Sequence, residues 1–345
     1  MKIVFSIFIF CLVLFFYLHI QFHLKQSDDL EIYELDNASK DKLEEICDIR
    51  QPVLFEFDSQ KIIETTNKTY IHLNYHSFDM KIRKYLQKDE EDLYIPIPLH
   101  TTIKLLDEDQ KSEYFTENNM DFLQETGIIK NIQYNDYFIR PYMVSNYYYD
   151  ILMGSKDSST PLRYEINYRN YFLMTQGIAQ IKLIPPKSLR YLYPKYDYDN
   201  FEWISPLNVW NIQSEYKADF DKIKSLEFTL VKGKTLYIPA YWWYSIRFSK
   251  DASITCFKYR TYMNNLAILP YIFMYALQSQ NIKRETSKKF SLNELNKNEI
   301  QPHPQTQINS EINILNLQEN RENIEENTTK IEDLENQDLT MKLVN

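Results

Sequence analysis

The sequence predicts a mainly β fold, a two-sheet jelly roll with flanking helices, set behind one membrane-spanning helix and ahead of a disordered polar tail. Three observations carry this expectation. Short strand-like runs recur through the middle of the chain with turn residues between them, the pattern of sandwiches and barrels. Residues 3–20 form an almost unbroken apolar run, IVFSIFIFCLVLFFYLHI. From about residue 281 the composition turns to Asn, Glu, Gln, Lys and Ser, with too little apolar surface to offset ordering entropy. The organisation that follows is an anchor at 1–25, a polar stalk or short helix at 26–47, one domain at 48–280 and a disordered tail at 281–345.

An apolar helix of about 20 residues spans a bilayer core. No small-x-small cleavage pattern follows the N-terminal run, so it reads as an uncleaved signal anchor that holds the membrane through residues 3–22. Lys2 precedes the run and Lys25 follows it, which weakly favours a cytoplasmic N-terminus and a lumenal or extracellular bulk. The sequons at Asn37, Asn67 and Asn327 are compatible with that side, although Asn is common here and such triplets arise freely.

Composition excludes several classes. The net charge is −9 and no long Lys/Arg block occurs, so nucleic acid is not an expected partner. Four glycines in 345 residues leave no Gly-rich phosphate loop. The three cysteines, Cys11, Cys47 and Cys256, form no CxxC or Cys/His cluster. GxSxG and HExxH patterns are absent. The 28 tyrosines and 20 phenylalanines supply ample core.

Within the domain, Arg50–Phe57, Thr69–Tyr75 and Tyr94–Leu99 read as strands, and residues 104–126 carry helix-like spacing. Further strands are expected at Pro161–Tyr164, Tyr171–Thr175, Gln180–Ile184, Ser225–Leu230, Thr235–Ile238 and Ser253–Tyr259. The apolar run Leu266–Leu277 is too short to span a membrane and reads as a helix packed on the barrel or in a dimer interface. Trp242 and Trp243 are expected to pack in core and rim, and the clusters Tyr147–Tyr149 and Tyr191–Tyr198 either line a groove or cluster by chance. His72 and His76 are four apart in a strand-like or irregular setting that does not make a helical metal pair, so they are read as surface residues.

Two stretches carry a family signal. The first runs Ser159-Thr160-Pro161-Leu162-Arg163-Tyr164-Glu165, then Asn170-Tyr171-Phe172-Leu173, Gln176-Gly177, and Ile181 to Pro185-Pro186. The second is Leu236 to Ile246, with Ser253-Ile254-Thr255-Cys256-Phe257 after it. Together they resemble the cupin-like/JmjC family of Fe(II)/2-oxoglutarate oxygenases, in particular its asparagine-hydroxylase branch. The resemblance implies a double-stranded β-helix in which two histidines and one carboxylate hold iron, the first histidine and the acid lying two apart on one strand. Carried over residue by residue, the first histidine becomes Arg163, the acid Glu165 and the second histidine Tyr244. The lysine that would hold 2-oxoglutarate falls at Ala179, with one inserted residue before Gly177. Thr160 and Asn170 keep family-like types, and a later Asn falls at Cys256. No histidine occurs between His100 and His303.

A guanidinium offers only donors and cannot ligate a cation. Strand alternation puts Arg163 on the same face as Glu165, so the two are expected to pair, with Tyr244 hydrogen-bonded to them. The plainer alternative is an exposed strand pair of little energetic weight. Iron-dependent catalysis is not expected, and no cofactor is assigned; Fe(II) and 2-oxoglutarate enter only if the chain is an active hydroxylase with a rearranged site. The favoured expectation is a non-catalytic relative that binds a protein, peptide or glycan. An inert structural membrane or envelope protein is the third reading.

Overall fold

The computed structural model describes residues 1–281 apart from 38, 58, 85–93 and 199–200; the expected disordered tail and the Asn327 sequon lie outside the described residues. Helix α1 (Lys2–Leu24) is followed by β1 (Tyr33–Leu35), α2 (Lys40–Cys47) and β2 (Val53–Glu56). Next come α3 (Gln60–Thr65), α4 (Lys68–Tyr75), β3 (Asp79–Lys84), β4 (Tyr94–Pro98), α5 (Leu99–Glu108) and β5 (Tyr114–Thr116). Then α6 (Met120–Glu125), α7 (Ile128–Asn135) and β6 (Val144–Met153) precede β7 (Arg163–Tyr164), β8 (Arg169–Gln176) and β9 (Ile178–Ile184). After a 3-10 turn come β10 (Lys195–Asp197), β11 (Glu202–Ile204), α8 (Lys217–Phe220), β12 (Leu226–Val231) and β13 (Lys234–Ile238). The described chain ends with β14 (Trp243–Phe248), β15 (Ser253–Thr261), α9 (Tyr262–Ala267) and α10 (Leu269–Asn281).

Two six-stranded sheets make the sandwich, in the orders β1-β2-β13-β8-β15-β6 and β10-β11-β7-β14-β9-β12; β4-β3-β5 form a small third sheet. The inner faces interdigitate. Phe172, Leu236, Ile254 and Cys256 of the first sheet pack with Ile181, Leu183, Ile246 and Phe248 of the second. Alternation sends Tyr171, Leu173, Tyr237 and Phe257 to the opposite face of the first sheet, where helices α2, α3, α5 and α7 cover them through Leu43, Ile62, Ile103 and Ile132. Gly177 turns β8 into β9 at φ +71°, where a Cβ would sit 3.0 Å from the backbone at Ala252, so a side chain there is doubly disfavoured.

Apart from Thr69–Tyr75, the strands expected from sequence are present within a few residues of their expected ends. Three local expectations fail. Thr69–Tyr75 belongs to helix α4, because Asn67 caps its N-terminus by accepting from the Tyr70 N–H at 2.8 Å. His72 is therefore helical, not strand-like. Residues 104–126 are not one helix but the end of α5, strand β5 and helix α6. Asp109 breaks the run, its carboxylate accepting from the backbone N–H groups of Lys111, Ser112, Glu113 and Tyr114. The 26–47 stalk is not a free connector: β1 pairs in parallel with β2, and Leu43, Ile46 and Cys47 are buried in the core.

The paired tryptophans divide between two clusters. Trp242 packs between the sheets, while Trp243 meets Tyr164 edge-on at 4.8 Å in a second cluster with Trp203 and Ile268. The Tyr191–Tyr198 run divides: Tyr198 lies 6.4 Å from Tyr271 of α10, while Tyr193 packs on Tyr216 and Tyr191 meets Lys222. Helix α10 half-buries Tyr271 and Ile272 against this cluster and exposes Leu269, Phe273 and Leu277. Asn37 is exposed; the Asn67 amide nitrogen donates to the carbonyls of Ile63 and Glu64, so its side chain is engaged in the cap.

Truncating Leu43 to Ala should cost about 2–5 kcal/mol in reversible urea denaturation if residues 40–47 are core. A change near zero would return the segment to the role of a loose stalk.

Candidate functional site

The sheet register assembles the site. Arg163 on β7 lies directly opposite Tyr244 on β14, and opposite pairs share a face. The Arg163 guanidinium sits 5.7 Å from the Tyr244 ring centroid. Glu165, two residues beyond Arg163, accepts a hydrogen bond from the Tyr244 hydroxyl at 2.6 Å. The turn between β13 and β14 fixes Glu165 from the other side, since the Tyr241 N–H, in a left-handed conformation at φ +69°, donates to the Glu165 carbonyl at 2.8 Å. The three positions that the resemblance aligns with iron ligands therefore converge, and all three are buried.

Arg163 and Glu165 do not form the expected pair. Arg163 instead forms an ion pair with Glu117, beyond β5, and approaches Glu202 of β11 at 3.6 Å. Arg83 of β3 joins the same acids, at 2.8 Å from Glu117 and 3.4 Å from Glu202. The Tyr94 hydroxyl bridges Arg83 and Glu202 at 2.9 and 3.1 Å. Glu165 is held by Lys258 of β15 at 2.7 Å, and its second oxygen accepts from the Asn167 amide at 2.7 Å. The exposed-pair alternative fails as well, because both residues are buried.

Electrostatics follow from the packing. Burial alone would raise the Glu117 carboxyl, but the guanidinium groups of Arg163 and Arg83 outweigh it and lower the group to about 2. Glu165 is also lowered: burial opposes ionisation, and Lys258 with Arg163 overcomes it. Lys258 is raised because Glu165 more than offsets its burial. Burial raises Glu202, and burial together with Glu117 raises Asp150 to about 6. Burial and the Glu165 carboxylate push the Tyr244 phenol well up, so it stays protonated and donates. The centre is a neutralised lattice of fixed charges.

Fe(II) in a facial triad needs two imidazoles, one carboxylate and open positions. Here a guanidinium, a carboxylate saturated by Lys258, Tyr244 and Asn167, and a protonated phenol stand at those positions. That donor set does not fit Fe(II). Ala179, at the expected co-substrate lysine position, is buried in the apolar interior of β9 between Leu230 and Phe248 on the neighbouring strands. It offers no cation to a 2-oxoglutarate carboxylate. Thr160 is structural: it exchanges backbone and hydroxyl hydrogen bonds with Ile246 at 2.8 and 3.0 Å. Asn170 reaches the site through its oxygen, which accepts from Asn167 at 3.1 Å, while its amide donates to the Ile238 carbonyl. Cys256 is buried between the sheets.

The charged centre floors a cavity of about 510 Å3 whose walls include Tyr147, Tyr148, Phe201, Arg260, Ile272 and Tyr275. Tyr148 of the Tyr147–Tyr149 cluster thus faces the groove; Tyr147 borders it with its ring stacked at 5.2 Å on Tyr149, which points into the opposite core. Glu117, Glu202, Arg83 and Lys258 were missed from sequence. Lys258 was within reach, since it lies two residues past Cys256 on an alternating strand and must share its face. Glu117 was hidden by the misread helical run. No His/Cys/Asp/Glu group able to hold a metal occurs among the described residues, and His72, His76 and His100 lie away from the site.

Fold and site together define a cupin-like jelly roll that encloses a buried centre of paired charges. The Cupin-like domain family matches residues 25–262, and the chain belongs to that family. Curated relatives include HSPB1-associated protein 1 of Rattus norvegicus, Mus musculus and Homo sapiens, each 28% identical over 95 residues, or 27% of this chain. The matched segment covers 20% of each relative's length.

Glu117→Gln should destabilise the fold by about 3–5 kcal/mol, because it leaves two buried guanidiniums short of a counter-ion. The sign of the pH dependence follows. A carboxyl lowered from 4.5 to about 2 contributes stability that is full above pH 4.5 and is lost as pH falls toward 2. Denaturation midpoints of wild type should fall through that window, and the Gln variant should show a shallower slope there.

Proposed function

We propose that this chain is a membrane-anchored, non-catalytic member of the cupin-like family that binds a protein, peptide or glycan in the cavity where oxygenases do chemistry. The observation that carries the reading is the buried Arg163–Glu117 ion pair at the metal-ligand position. Repulsion and saturation act together: a cation occupies the seat, and the one retained carboxylate is fully bonded. The cavity beside this centre is of the size and mixed polarity of ligand sites. The relatives' name, HSPB1-associated protein 1, denotes association with another protein, which favours a binding role over an inert shell.

The anchor is α1, which is long and apolar enough to cross a membrane. Its C-terminal end is seated on the domain: the Phe22 carbonyl accepts from Arg50 at 3.4 Å, His23 meets Tyr168 at 4.8 Å, and α1 packs against α9. The domain would therefore ride close to the membrane surface instead of hanging from a stalk. A lumenal or extracellular position for the bulk rests on the flanking lysines and sequons.

Titration calorimetry with Fe(II) or Mn(II) plus 2-oxoglutarate should give no stoichiometric binding; one-to-one binding that Glu165→Ala abolishes would refute the non-catalytic reading. The full chain should stay in the membrane pellet through alkaline carbonate extraction, and release into the supernatant would remove the anchor.

A further inference from the structure

The cavity's charges pair off with one exception. Its lining contains three carboxylates, Glu117, Glu165 and Glu202, and three bases, Arg163, Lys258 and Arg260. Arg163 and Arg83 serve Glu117 and Glu202, and Lys258 serves Glu165. Arg260 has no carboxylate partner among the described residues; its Nε donates to the Asn167 oxygen at 2.6 Å, and its guanidinium lies 4.9 Å from the Phe201 ring centroid. Burial lowers Arg260 and the Glu165 carboxylate opposes this only in part. Arg260 is directly opposite Asn146 in the sheet, so an amide that also lines the cavity stands beside it.

We propose that the cavity takes a carboxylate-bearing ligand, its carboxylate paired end-on with the terminal nitrogens of Arg260 and its apolar part held between Tyr148, Phe201, Ile272 and Tyr275. This rests on the binding reading above and names the ligand class for that site. A planar guanidinium fork matches a carboxylate, and each charge-assisted bond is stronger than a neutral one. One guanidinium without a carboxylate ion pair among the described residues suits a monoanion. A phosphate dianion would bring a second charge toward Glu165 and Glu202, and a ligand cation would meet a cavity already rich in cations. The aromatic and aliphatic rim supplies the apolar contact that a carboxylate alone lacks. The shared chemistry belongs equally to a free organic acid and to an acidic side chain in a peptide.

The test uses the full chain in non-ionic detergent with EDTA, so that metal plays no part. The probes are 3-phenylpropanoate, its neutral amide, phenyl phosphate, and a blocked tripeptide with a central glutamate between aromatic residues. Binding is read by calorimetry and by ligand-observed NMR. The carboxylate should bind at least about tenfold more tightly than the amide, and more tightly than phenyl phosphate. Arg260→Gln should remove that preference, and Arg260→Lys should recover part of it, while unchanged melting temperatures show that both variants fold. Tighter binding of the tripeptide than of the free acid assigns a peptide source, and the reverse assigns a small organic acid. Equal binding of acid and amide, equal binding by Arg260→Gln, preference for phenyl phosphate, or no binding of either carboxylate overturns the proposal. None of these failures touches the non-catalytic reading, which falls only on metal binding.

Discussion

A guanidinium buried between two β-sheets has to be answered by carboxylates, and that requirement organises the centre of this protein. Arg163 is fixed by its position on β7 opposite Tyr244, so its charge cannot leave for solvent. Glu117 answers it from beyond β5, a segment outside the two main sheets. Arg83 then balances Glu117 and Glu202 together, and Lys258 balances Glu165. Removing one member exposes the others to the full cost of buried charge, so the group stands or falls as a unit. The small sheet β4-β3-β5 is tied to the sandwich at this point.

A metal site and this lattice solve the same electrostatic problem in different ways. A retained carboxylate inside the sandwich needs positive charge. An oxygenase supplies it as a metal ion with exchangeable positions, whereas here side chains supply it permanently. Side-chain cations leave no open coordination position, but they leave room above the lattice. The cavity lined by Tyr148, Phe201, Tyr275 and Arg260 is that room.

Much of the sandwich was legible because buried strands announce themselves by alternation and by glycine-marked turns such as Gly177. The convergence of Arg163, Glu165 and Tyr244 followed from two motifs and the period of a strand. The partners of Arg163 did not, because Glu117 and Glu202 come from segments without a motif and reach the site only through tertiary packing. The Thr69–Tyr75 alternation misled because a two-residue period over seven residues is also compatible with a capped helical turn, and Asn67 decided the outcome. The 26–47 segment looked like a stalk by composition; only its few apolar residues, Leu43, Ile46 and Cys47, carry it into the core.

The central claim is that Arg163 and Glu117 are each tolerated only because the other is present. A double-mutant cycle with Arg163→Met and Glu117→Leu, read as unfolding free energies of the detergent-solubilised chain, measures this coupling directly. The account predicts that the double variant recovers at least about 2 kcal/mol relative to the sum of the two single losses. Additive losses, with no coupling beyond about 0.5 kcal/mol, would contradict it.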